Sequence, residues 1–152
     1  MKNWILVLIA LGITFLGVIT KKFFFLFFII PLGLFWQEEK NKTLYQKKCI
    51  PCQGGIPPLN KDEIDILVKE LNINWEIYKG KELRKEYVFT TYKEAITFVN
   101  NVAELAEDEG HHPFIHINYK KVLIILFTHK ISGLHENDFI LASKCDLLHR
   151  RL

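Results

Sequence analysis

TYKEAITFVNNVAELAEDEGHHPFIHINYKKVLIILFTH, residues 91–129, is the stretch on which the reading of the whole chain turns. In its first half Ala95, Phe98, Val99, Val102, Leu105 and Ala106 recur at helical spacing and share one apolar face. Thr91 with Glu94 three residues on is a capping box, and Gly110 supplies the stop. The period then changes. Phe114–Tyr119 and Lys121–His129 read as two strands, and KVLIILFTH is apolar enough to lie inside a sheet rather than at its edge.

Working outward, Asn60 and Glu63 form another capping box ahead of Ile64, Leu67, Val68 and Leu71, which predicts a helix over about 61–72. Residues 74–79 and 82–90 alternate Trp75, Ile77, Leu83, Tyr87 and Phe89 with charges around Gly80 and Lys81, the pattern of a hairpin with one wet face. Beyond a turn around Gly133, a helix over about 137–148 carries Phe139, Leu141, Ala142, Cys145 and Leu148 toward a core. The expected domain, residues 60–152, is therefore α+β: a four-stranded antiparallel sheet with three helices on one face, in the order α-β-β-α-β-β-α. Residues 37–59 turn polar and then Pro/Gly-rich (CIPCQGGIPPLN), as a linker and lead-in loop do.

Residues 1–36 are a different material. They hold seven of the twelve Phe, no acidic residue, and only Lys2, Lys21 and Lys22 as charges. Setting those three aside leaves 17 basic against 17 acidic residues in 37–152, so the net charge of +3 belongs to this leader. A neutral body argues against nucleic acid as a partner, since phosphate binding needs clustered Lys and Arg. Trp4–Thr20 is uncharged and just reaches the length of a membrane-spanning helix, whereas Phe23–Trp36 is shorter and interrupted by Pro31 and Gly33. The leader thus reads as a membrane anchor or tight hairpin through residues 4–36, with Lys40, Lys42, Lys47 and Lys48 placing the body on the cytoplasmic side. A cleaved signal would want small residues after the apolar run, and the single Ala10 lies inside it; a shorter product would need a start other than Met1.

All six His fall at or after position 111. His111 and His112 follow the Gly110 stop, Pro113 stiffens the exit, and His129 is expected to close the last strand. Imidazoles gathered at a sheet end suit acid/base work near neutral pH, because their ordinary pKa of about 6.5 lets them give and take protons there. A solvated His-His loop and a packed strand-end His account for the same periodicity.

The spacing E-x3-H-H-P-x5-Y-x9-H-x8-D, through Glu107, His111, His112, Pro113, Tyr119, His129 and Asp138, resembles the signature of the pterin-4a-carbinolamine dehydratase family. The resemblance runs from about Cys49 to Asp146 and includes C-x-x-C-x-G-G-x-P-P-L, FVNNVAELAE, GHHP, FTH and GLHENDFILASKCD. It implies that His111 and His129 are catalytic in proton transfer and that His112, Pro113 and Asp138 hold a 4a-hydroxytetrahydropterin. That substrate is the carbinolamine left by aromatic amino-acid hydroxylases, and its dehydration recycles their pterin. One group protonates the departing C4a hydroxyl while another removes the N5 proton, so no metal, redox cofactor or covalent intermediate is called for. Relatives also imply a homo-oligomer, dimer or tetramer, a hydroxylase as a further partner, and a non-catalytic alternative in which the fold acts as a dimerisation cofactor or Rubisco-assembly factor. Asp138 has a second reading, as a helix-capping carboxylate at the third helical position. His135 stands where many relatives carry Thr and is expected to be a poorer N-cap.

Cys49-x-x-Cys52 invites a zinc or redox reading, but the only other thiol is Cys145, on a helix face expected to be buried, and the motif follows a linker rather than a strand. A structural or incidental role is expected. His116, His135 and His149 read as surface or strand positions without a visible partner.

Overall fold

Asn60 caps its helix as the spacing requires: its Oδ1 accepts the Glu63 N–H at 3.0 Å and the Glu63 carboxylate takes the Asn60 N–H at 2.8 Å, opening α1 (Lys61–Glu70). The computed structural model describes residues 42–51, 55–71 and 74–152. Thr91 and Glu94 repeat the exchange at 3.1 Å each way and open α2 (Tyr92–Glu109). Gly110 closes α2 in the left-handed region at φ 62°, where a Cβ would be strained. The third helix, α3, runs Glu136–His149.

The strands are β1 (Glu76–Tyr78), β2 (Glu82–Val88), β3 (Phe114–Asn118) and β4 (Lys121–Leu126), all antiparallel, in the order β1-β2-β4-β3. The β3–β4 hairpin therefore brings β4 back beside β2, which places the most apolar strand between two neighbours, as its composition predicts. Val122, Ile124 and Leu126 are fully buried against the helices. They alternate with Leu123, Ile125 and Phe127, half-buried on the face away from them. Apolar side chains on both faces are the mark of a doubly covered strand, yet the helices cover only one.

The core lies between the sheet, α2 and α3, with α1 packed on α3. Phe98 of α2 is its centre, with ring centroids 4.7 Å from Tyr87 and 5.2 Å from Phe89. Val102 and Ala95 are buried beside it, while Val99, expected on the same face, is only partly buried. Beneath the other end of β2, buried Asp146 accepts from Trp75 Nε1 (3.0 Å), Lys85 Nζ (2.8 Å) and Tyr87 Oη (2.7 Å). Burial is the main reason the Tyr87 hydroxyl titrates far above its ordinary value.

Several boundaries differ from expectation. β4 ends at Leu126, not His129: Thr128 bridges to Gly133, and His129–Ile131 is a short 3-10 turn. Gly133 fits there because a Cβ would come within 2.6 Å of Pro58 Cβ. Tyr119 leaves β3, turning at φ 53°. β1 is reduced to three residues because Asn74 takes φ 82°, and β2 stops at Val88. His149, expected to lack a partner, packs against the rings of Tyr87, Phe89 and Phe98.

Residues Thr43–Leu152 form one compact unit. Within the stretch expected as linker, Leu44 is buried, Lys47 Nζ meets Glu136 at 2.7 Å, and Ile50 exchanges two backbone bonds with the Asn137 amide, at 3.1 and 2.7 Å. The expected leader at 1–36 lies outside the described residues. Among the described residues no helix is long and apolar enough to cross a membrane.

Candidate functional site

The left-handed turn at Gly110 sends the chain from α2 back across its own end, with the His111 N–H bonded to Ala106 O at 3.1 Å. This aims the His111 imidazole inward at the first turn of α3. Its Nε2 lies 2.8 Å from Asp138 Oδ1, and both side chains are nearly or wholly buried, 6% and 0% exposed. The other carboxylate oxygen of Asp138 accepts from Thr128 Oγ1 at 2.8 Å and from the His135 N–H at 2.7 Å. Asp138 sits at the third position of α3, as the capping reading expects: one oxygen closes the capping box and also holds Thr128, while the other holds His111. His135, expected to be a poorer N-cap, does cap, its Nδ1 accepting the Asn137 N–H at 3.2 Å.

An ionised carboxylate only accepts, so with Thr128 and His135 donating to Oδ2 the His111 proton lies on Nε2, pointing at Oδ1. In the neutral ring Nδ1 is then the acceptor nitrogen. Thr128 was not singled out from the sequence, although it keeps step with Val122, Ile124 and Leu126 and so shares their inward direction.

His129 is one residue further and turns the other way. Its ring stands edge-on to Phe127 and Phe114, with centroids 4.8 and 5.4 Å away. It lines an open groove of about 370 Å³ on the face of the sheet away from the helices, together with Arg84, Phe114, His116, Ile125 and Phe127. His116, read from the sequence as a surface or strand position, is on β3 and lines this groove. His112, two residues before Phe114, is 61% exposed and pairs through Nε2 with Glu107 Oε1 at 2.8 Å. Pro113 is half-buried between them. The structure thus joins His111 and Asp138 directly and ties both to the chain beside His129 through Thr128. The His129 ring itself lies with the groove, and His112 stands in solvent with Glu107.

The flanks of the cluster are braced. Glu109, two residues before His111, takes the Cys49 N–H at 2.7 Å and pairs with Lys144. Burial works against its charge, but these bonds and the lysine outweigh it and hold Glu109 below the usual carboxylate range. Burial, reinforced by the Glu109 charge, pushes the Cys49 thiol up to about 12, so it is no thiolate nucleophile near neutral pH. Cys145 is buried and raised as well, and Cys52 lies outside the described residues.

Residues 57–148 match the family described as Pterin 4 alpha carbinolamine dehydratase. A Rickettsia bellii protein named "Putative pterin-4-alpha-carbinolamine dehydratase" is 49% identical over 106 residues, 70% of this chain and 94% of its own. One of the same name from Alkaliphilus metalliredigens is 47% identical over 104 residues, 68% of this chain and 94% of its own. Among solved structures, a transcriptional coactivator/pterin dehydratase from Brucella melitensis superposes with a TM-score of 0.57 at 26% identity, over 60% of this chain and 98% of that one. Because the matched segment runs from the lead-in loop to the last turn of α3 and encloses His111, Thr128, His129 and Asp138, the chain belongs to the pterin-4a-carbinolamine dehydratase family.

Proposed function

We propose that the protein is a hydro-lyase that converts a 4a-hydroxytetrahydropterin to quinonoid dihydropterin and water, recycling the pterin of an aromatic amino-acid hydroxylase. The observation that carries this reading is the buried His111–Asp138–Thr128 cluster beside His129, in a chain of this family. Asp138 holds the His111 ring through Nε2, and in the neutral ring Nδ1 is the basic nitrogen; with the C4a–N5 edge of the substrate at the end of β4, between the two imidazoles, His111 takes the N5 proton. His129, in the groove, delivers a proton to the C4a hydroxyl. The C4a–O bond breaks, water leaves, and the N5 electron pair closes the C4a=N5 bond. His112 and Pro113 steady the substrate at the rim. The chemistry draws only on proton transfer and positioning.

We place this domain on the cytoplasmic face of a membrane, tethered through residues 4–36; the uncharged run Trp4–Thr20 and the lysines after it support that reading. The edge strand β3, with Ile117 exposed, supports self-association.

Stopped-flow absorbance of freshly generated 4a-hydroxytetrahydropterin is the test. Wild-type protein should accelerate its decay, His111→Ala or His129→Ala should lower the rate by roughly 10²–10⁴, and His112→Ala should chiefly raise KM. Folded wild-type protein that leaves the decay unchanged while binding a hydroxylase or another protein would replace the enzyme by the binding-protein alternative.

A further inference from the structure

The outer sheet face carries a built cation beside the groove that His129 lines. Arg84 on β2 stacks its guanidinium on the Tyr78 ring, 3.6 Å from the centroid, and donates from Nε (2.8 Å) and Nη2 (2.6 Å) to one oxygen of Glu82. Three contacts from two neighbours hold a side chain that ordinarily samples many rotamers. Among the described residues nothing else engages Arg84 Nη1 or Glu82 Oε1. The pair therefore offers a donor and an acceptor side by side.

Next to it lies the apolar floor. Arg84 and Phe114 are both in register with Ile125, on opposite sides of it. Two strand spacings, about 9.5 Å, separate them. A flat bicyclic ring fits over Ile125 and Phe127 in that width, and the groove volume is at the low end of small-molecule sites. The uncovered apolar residues of β4 then have a reason to be there.

We infer that Arg84 and Glu82 are specificity-determining residues that bind the 4-oxo, N3–H edge of a pterin lying on the outer face of β4. This rests on the proposed dehydratase reading and deepens it. The carbonyl O4 accepts from Arg84, N3–H donates to Glu82, and C4a, next to C4 in the ring, is left at the end of β4, with His129 on its near side. A 2,4-diamino ring presents a donor where O4 stood and an acceptor where N3–H stood, and so meets like against like at both residues.

The experiment is calorimetric titration of the full-length chain with two probes that do not turn over, 7,8-dihydropterin and 2,4-diamino-7,8-dihydropteridine. Wild type should favour the oxo probe by about 10-fold or more, as loss of a charge-assisted hydrogen bond implies. Arg84→Met should remove the share of that preference read at O4, leaving only what Glu82 reads at N3–H, and raise KM for dehydration about as far, with kcat within about twofold. Arg84→Lys should restore part of it. Discrimination is a ratio measured on one sample, so it holds whatever fraction of a variant is folded; amide NMR shifts at Arg84, Ile125 and Phe127 on adding the oxo probe locate the ligand without any variant. Wild type that dehydrates its substrate yet binds both probes equally, or shows no shifts on the sheet face, overturns the groove alone. Preference with no dehydration overturns the activity and leaves the groove standing. Absence of binding and turnover together overturns both.

Discussion

Changing Asp138 to Asn alters two atoms' chemistry at the most connected buried group of the site. The carboxylate collects three hydrogens: from His111 Nε2, Thr128 Oγ1 and the His135 N–H. An amide has one oxygen for them. If that oxygen keeps the Thr128 and His135 donors, the cap survives and the NH2 meets His111 Nε2 at 2.8 Å, donor to donor, until the imidazole moves its proton to Nδ1. Turning three charge-assisted bonds into neutral ones should cost about 1 kcal/mol each, so about 3 kcal/mol in total, with the fold retained. Asp138→Ala should cost about 3–5 kcal/mol, since it leaves buried donors without an acceptor. The tautomer change removes the accepting nitrogen, so Asp138→Asn should lower kcat by roughly 10²–10⁴ with little change in KM. Urea unfolding, stopped-flow dehydration and nitrogen-15 NMR of the His ring check the three statements separately. A folded Asp138→Asn protein within threefold of wild-type kcat would refute the reasoning, as would a His111 proton still on Nε2.

Phe98→Ala empties the centre of the core, where the ring is fully buried against Tyr87 and Phe89; urea unfolding should show a loss of about 3–5 kcal/mol, and a loss under about 1 kcal/mol would mean the core is organised around another residue. Glu109 has a folded pKa below its ordinary 4.5, so its contribution is fully present above that pH and is lost as pH falls through the folded value. Wild type should therefore melt above Glu109→Gln at pH 7, with the gap closing below pH 4.5; a gap that widens on acidification contradicts the assignment. Full-length protein should stay with membranes through alkaline-carbonate extraction, and intact chain in the supernatant would remove the anchor.

What the residues alone determine is whatever acts over three or four positions. Asn60 with Glu63, Thr91 with Glu94, and Gly110 set helix ends through contacts made within one turn, and those ends are where the sequence puts them. Alternation likewise marks the strands, and the spacing from His111 to Asp138 carries the resemblance to the family, with one residue just past the end of α2 and the other in the first turn of α3. His135 shows where the reading by residue type stops: imidazole is a weak cap in general, yet here Asp138 takes its N–H and Asn137 donates to its ring.

Tertiary structure decides which side of the sheet each imidazole serves. His111 faces the helices because the Gly110 turn sends it back across the end of α2 to the first turn of α3, and His129 faces the outer groove because it follows Thr128, whose hydroxyl is held inward by Asp138. The clasp of Ile50 on Asn137 joins segments 87 positions apart, and the placing of Arg84 opposite Phe114 across Ile125 depends on the order β1-β2-β4-β3. No local pattern encodes that order. It follows from the one packing that buries both β2 and β4 beneath α2 and α3, an energy shared among residues tens of positions apart.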